Sequence, residues 1–140
     1  MEYDLFLAGP WEQFSPEKYK TKIKQAFPNK RIFDPEADPS QKKGDWFETN
    51  YDAIKTSERM ICYVSSLPFP GNAFEAGMFY LYQRERNLYM ADKMIVIWKE
   101  DIQPAFGKDV IRRCPAIVLN NTEKAISLLK IIFNGESPTS

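Results

Sequence analysis

Three short runs in this chain are apolar without alternation: Leu5-Phe6-Leu7-Ala8, Met60-Ile61-Cys62-Tyr63-Val64 and Met94-Ile95-Val96-Ile97-Trp98. A strand with one wet face alternates apolar and polar residues. Strands without alternation are buried on both faces, as in a parallel sheet covered by helices on each side. Between the runs lie longer stretches with helical spacing, and strand–helix alternation of this kind specifies an α/β domain.

The spacing predicts strands over Asp4–Ala8, Arg31–Phe33, Met60–Val64, Met94–Trp98 and Ile117–Leu119. Helices are predicted over Pro16–Ala26 with Ser15 as N-cap, Asp45–Ser57, from a cap at Asn72 to about Asn87, and Thr122–Phe133. Asp34–Gly44 reads as a loop, long enough to suggest a functional role. Five strands in 140 residues suggest a single flavodoxin-like domain over residues 1–134, with a polar tail at 135–140. In such a sheet the ligand crevice lies at the carboxyl ends of the strands.

Composition narrows the chemistry. The chain has no histidine, which removes histidine-based triads and most zinc sites. Acid–base or nucleophilic work falls to carboxylates, Tyr, Lys, Cys or water. Lysine plus arginine equals aspartate plus glutamate at 19 each, so no basic stripe points to a nucleic-acid polymer. Cys62 in a strand and Cys114 before Pro115 read as free thiols of a reducing compartment. No apolar run approaches the ~20 residues that span a bilayer, and the acidic start Met1-Glu2-Tyr3-Asp4 is no signal peptide. The expectation is a cytoplasmic protein without membrane contact.

The loops after the strands are the places to look for a site. After the first strand come Gly9-Pro10-Trp11-Glu12-Gln13-Phe14, where a glycine admits a ligand to the backbone and Trp11 or Phe14 could stack on a base. A tight turn with packed aromatics accounts for the same residues. After the third strand, Gly71-Asn72-Ala73-Phe74-Glu75-Ala76-Gly77 places Glu75 in the first turn of a helix. There the helix end and free N–H groups favour an ionised carboxylate, suited to a nucleophile. A capping glutamate would occupy the same position. Asp52 lies seven residues before Arg59, roughly 10 Å along its helix, and could reach the crevice floor facing Glu75; a solvated surface aspartate is the alternative. The helix after Glu75, with Met78-Phe79-Tyr80-Leu81-Tyr82, is too apolar for one buried face and predicts contact with another subunit. Gly77 suggests close approach of a ligand or a second backbone.

These residues resemble the nucleoside 2-deoxyribosyltransferase family, which includes related nucleoside 5'-monophosphate N-glycosidases. The resemblance rests on Leu5-Phe6-Leu7-Ala8-Gly9-Pro10, Asn50-Tyr51-Asp52-Ala53-Ile54-Lys55-Thr56 and Gly71-Asn72-Ala73-Phe74-Glu75-Ala76-Gly77, in order, over residues 4–100. It implies a double displacement with Glu75 as nucleophile and Asp52 as its active-site partner. It implies substrate contacts around Gly9, Pro10, Trp11, Phe14, Phe69, Gly71 and Asn72, sites completed across a homo-oligomer, and no metal or organic cofactor. The substrates implied are a nucleoside or nucleotide and a free base. Six residues before the nucleophile the transferases carry aspartate and the monophosphate hydrolases serine; this chain has Phe69, with Ser65, Ser66 or Asn72 as the polar groups nearby. The first loop has Trp11-Glu12 where the hydrolases carry a phosphate-binding arginine, which leans toward an uncharged nucleoside. Transfer of 2-deoxyribose between bases is the leading expectation, hydrolysis of a nucleoside 5'-monophosphate the second, and a non-catalytic nucleotide sensor the third. A phosphoacceptor receiver would need an acidic end to the first strand, and an FMN carrier a Ser/Thr/Gly phosphate loop.

Overall fold

The structure, a computed structural model, describes residues 1–14, 17–65, 70–86, 93–98, 111 and 116–135. The Ser15 cap, Pro16, Ser66, Phe69, Cys114 and the tail beyond residue 135 lie outside the described residues. Five parallel strands form one sheet: β1 (Tyr3–Ala8), β2 (Ile32–Phe33), β3 (Ser57–Val64), β4 (Met94–Trp98) and β5 (Ile117–Leu119), in the order β2-β1-β3-β4-β5. This is the flavodoxin-like order, and it places the chain reversal beside β1. The helices are α1 (Tyr19–Ala26), α2 (Ser40–Lys43), α3 (Trp46–Lys55), α4 (Pro70–Glu85) and α5 (Thr122–Asn134).

The non-alternating strands are buried on both faces. Phe6, Ala8, Met60, Cys62, Val64, Met94 and Val96 face one core with Ile54, Ala76 and Phe79 of α3 and α4. Leu5, Leu7, Ile61, Tyr63, Ile95 and Ile97 face the other, with Tyr19, Ile23, Ala125 and Leu129 of α1 and α5. Each fully buried aliphatic side chain contributes about 1.5–3 kcal/mol relative to leaving it in water. Register follows from this two-sided burial. Leu5 pairs with Arg59 and Ile61 with Ile95 along the central strands.

Several boundaries differ from expectation. β3 begins at Ser57 rather than Met60, because buried Ser57 pairs with Tyr3 and donates to the Ala53 carbonyl at 2.6 Å. The 34–44 stretch contains the single-turn α2, closed by Gly44 at φ 87°. α1 starts at Tyr19 without a side-chain cap from Lys18, whose φ is 51°. Its free N–H groups are met from outside, by Glu12, which accepts from the Thr21 amide at 2.7 Å and from the Thr21 hydroxyl. α4 begins at Pro70, so Asn72 is inside the helix and not its cap. Among the described residues no helix is long and apolar enough to cross a membrane.

Candidate active site

The carboxyl ends of β1, β2 and β3 open onto a cavity of about 460 Å³. Its wall is built by the loop after β1 (Gly9, Trp11), the loop after β2 (Pro35) and the helices beyond. From α3 come Trp46, Phe47, Asn50, Tyr51 and Ile54; from α4 come Phe74, Glu75 and Met78. Lys20 of α1 and Gln41 of α2 complete it. Most of this wall is carbon, and the rim is aromatic. Phe47 lies 5.9 Å from both Trp46 and Phe74, ring centre to ring centre. Trp11, Trp46, Phe47, Tyr51 and Phe74 are all exposed. Large flat apolar surfaces at a concave mouth suit a planar aromatic ligand.

Gly9 is fixed by close approach. A Cβ at this position would stand 2.4 Å from the Tyr19 hydroxyl oxygen and 3.1 Å from the Tyr63 Cβ. Tyr19 cannot swing aside. Its hydroxyl donates to the Pro10 carbonyl at 2.8 Å, and its ring stacks on Tyr63 at 4.2 Å. Gly9→Ala therefore lowers folding stability by about 2 kcal/mol, measured as the urea midpoint at unchanged slope. An unchanged midpoint would show that Tyr19 can yield.

Glu75 is half-buried, and its Oε2 is buried without a hydrogen-bond partner. Burial pushes its carboxyl up to about 8, with Lys20 the one opposing influence among the described residues. This reverses the expectation of a carboxylate held ionised by the helix end. The reason is position. α4 starts five residues earlier, at Pro70, so Glu75 sits in the second turn, beyond the free N–H groups of the first. The apolar wall then decides the direction.

Asp52 is not part of the wall. It is exposed, and the residues α3 gives to the cavity are Asn50, Tyr51 and Ile54 with Trp46 and Phe47. At 3.6 residues per turn, Asp52 points about 160° away from Ile54, which must face the core. The polar group that α3 does supply is Asn50, whose Oδ1 is buried and unpartnered. Asn72 also differs from its expected role. Its amide nitrogen donates to the Tyr63 carbonyl at 2.6 Å, and its oxygen accepts from the Cys62 thiol at 3.3 Å. It ties the start of α4 to the end of β3. Gly71 lies in the first turn of α4, Pro10 serves through its carbonyl to Tyr19, and Phe14 is exposed outside the wall. A Cβ added at Gly77 would meet no described atom of this chain within 4 Å.

Lys20 was not anticipated from the sequence. It is 2% exposed, and its ammonium contacts Asp34 Oδ1 at 2.8 Å and Glu36 Oε1 at 3.3 Å. Glu36 Oε1 also accepts from the Glu12 amide at 2.6 Å, so the cluster joins the first loop to the loop after β2. Burial pushes the Asp34 carboxyl up, but Lys20 and Lys24 outweigh it and hold it below the usual range. Among the described residues no three His, Cys, Asp or Glu side chains gather to hold a metal ion.

No protein-family model matches the sequence, and no curated protein matches it significantly. Among solved structures the chain is similar to the CMP N-glycosidase BcmB of Clostridium botulinum, with a TM-score of 0.58 and 18% identity. The match covers 91% of this chain and 98% of that one. At that identity the likeness is one of fold: a five-stranded parallel α/β sheet of the flavodoxin-like order.

Proposed function

We propose that the protein is an enzyme that cleaves or exchanges the N-glycosidic bond of a nucleoside, with Glu75 as the attacking carboxylate. The observation that carries this is one unpartnered carboxylate oxygen in an apolar, aromatic-rimmed cavity at the carboxyl ends of the strands. A carboxylate stripped of hydrogen bonds is a strong nucleophile once it ionises. The aromatic rim suits a planar base. Resemblance of three sequence blocks to the deoxyribosyltransferases, and the fold shared with a CMP N-glycosidase, support the same reading.

In the first step a Glu75 oxygen bonds to the anomeric carbon as the carbon–nitrogen bond breaks, its electron pair leaving with the base. The base nitrogen takes a proton from solvent or from a group at the rim. In the second step a nitrogen of another base, or water, attacks the same carbon. The Glu75–carbon bond breaks, the carboxylate is restored, and the incoming group gives up its proton. Asn50, an amide with an unpartnered oxygen on the same wall, can orient a base N–H group and cannot itself supply the proton.

Transfer of 2-deoxyribose is the favoured outcome. The cavity's described cation, Lys20, is already engaged by two carboxylates, which favours an uncharged nucleoside over a phosphate dianion. Hydrolysis of a nucleoside 5'-monophosphate is the second reading, favoured by the CMP substrate of the structural neighbour. Incubation with a deoxynucleoside and a second free base separates the two. A new nucleoside is the expected product; free base and sugar phosphate released only from a monophosphate would give the second reading the place of the first.

A further inference from the structure

A buried lysine that shares a cavity with a half-buried carboxylate needs a reason. Lys20 and Glu75 share the cavity wall, one from α1 and one from α4. Lys20 has three ammonium protons, and two of them are directed at Asp34 and Glu36. Those two contacts aim the group; the third proton has no described hydrogen-bond acceptor, and the ammonium stands 5.9 Å from the centre of the Tyr19 ring. Glu75, by contrast, has no hydrogen-bond partner for Oε2, and Lys20 is the charge acting on it.

Among the described residues, the other ionisable groups around Glu75 do not supply a positive charge. Tyr51 of α3 lines the same cavity. Burial holds the Tyr19 phenol of α1 in its neutral form, with Asp34, Cys62, Glu36 and Glu75 adding to the effect. Asp34 and Glu36 stand behind Lys20, with Lys24 on the far side of Asp34. Glu12 is engaged with Thr21, while Glu48 and Asp52 of α3 are exposed.

Resting on the reading of Glu75 as the nucleophile, we infer that Lys20 is a positioning residue for the reaction. Its ammonium, clamped between Asp34 and Glu36, is the counter-charge that eases the ionisation of Glu75 for attack and receives the carboxylate when it leaves the sugar. The role is electrostatic and acts through Glu75. In the covalent intermediate the glutamyl oxygen is neutral; in the second step negative charge returns to it in a cavity that already holds a cation. A preorganised charge of this kind costs no rearrangement at the moment of reaction.

The test is a titration of Glu75 that needs no turnover. Carbon-13 NMR of glutamate carboxyl carbons in the full chain follows the Glu75 signal, identified as the one missing from Glu75→Gln. Lys20→Gln keeps an amide to donate to Asp34 and Glu36, avoiding a carboxylate pair left buried and unpartnered. The Glu75 midpoint is expected to rise by about one pH unit in Lys20→Gln and to return toward the wild-type value in Lys20→Arg. The acid limb of the kcat/KM profile moves with it. Should Lys20→Gln fail to fold, the double variant Lys20→Met/Asp34→Asn removes the pair together and is expected to raise the midpoint in the same direction. An unchanged midpoint in whichever of these folds overturns the inference and leaves Lys20 a strap between α1 and the loop after β2. A midpoint that moves while Glu75→Gln stays active would instead keep the electrostatic pairing and sink the nucleophile.

Discussion

Glu75→Gln abolishes glycosyl cleavage and exchange, by at least about a thousand-fold in kcat, while the protein remains folded. The amide has nearly the shape of the carboxylate and fills the same place on the cavity wall, so binding of a nucleoside is retained. What is lost is the nucleophile, and no nearby carboxylate among the described residues replaces it. Asp52 is exposed on the wrong side of α3, and Asp34 and Glu36 are engaged with Lys20. A thousand-fold loss corresponds to about 4 kcal/mol of transition-state stabilisation. Chromatography of base and nucleoside, with ligand binding measured in parallel, separates lost chemistry from lost affinity. Full activity in this variant would refute the mechanism whatever the substrate.

The same carboxyl group sets a pH dependence of stability, and its sign is opposite to that of an ordinary salt-bridged glutamate. Burial raises Glu75 from 4.5 to about 8 in the folded protein. Below pH 4.5 the group is protonated whether the chain is folded or not, and contributes no difference. Between 4.5 and 8 the unfolded chain loses this proton while the folded chain keeps it. Stability therefore falls as pH rises through that window. The full penalty, about 5 kcal/mol, is reached above pH 8. Asp34 works in the other direction. Its carboxyl is held below 3.8 by Lys20 and Lys24 against the effect of burial, and that contribution is lost as pH falls through the acid range. Urea unfolding across pH is thus expected to show a decline from about pH 5 to 8 that Glu75→Gln lacks. Activity should run the opposite way, climbing toward pH 8 as Glu75 ionises. One proton links the two curves. A wild-type stability flat from pH 5 to 8 would place Glu75 in a far more polar setting than the cavity provides.

The sheet was legible because its strands carry their own signal. Met94–Trp98 and Ile117–Leu119 match their expected bounds, since an unbroken apolar run leaves few other options. Boundaries failed where local chemistry was overruled from a distance. Ser57-Glu58-Arg59 reads as polar, yet pairing with β1 draws it into β3. Pro70-Gly71 reads as a turn, yet proline tolerates the first turn of a helix, and α4 starts there.

The site was legible in part for a related reason. Glu75, Gly9 and Trp11 line the cavity, because the crevice must lie beyond the strand ends. The height of Asp52 along the helix suits the crevice only with a suitable rotation, and the rotation of α3 turns it outward. Phe47, Asn50, Tyr51 and Ile54 recur at the three- and four-residue spacing of one helix face, and that stripe in the sequence already pointed away from Asp52. Lys20 carried no such signal. A lysine among Lys18, Lys22 and Lys24 looks like a solvated face, and only the fold of the loop after β2 brings Asp34 and Glu36 onto it.

Intact mass spectrometry of the protein mixed with substrate and quenched in acid tests the covalent step directly. The account predicts an adduct of one sugar residue, mapped by proteolysis to the peptide containing Glu75 and absent from Glu75→Gln. Turnover with no adduct on any time scale, or an adduct mapped to another residue, would contradict it.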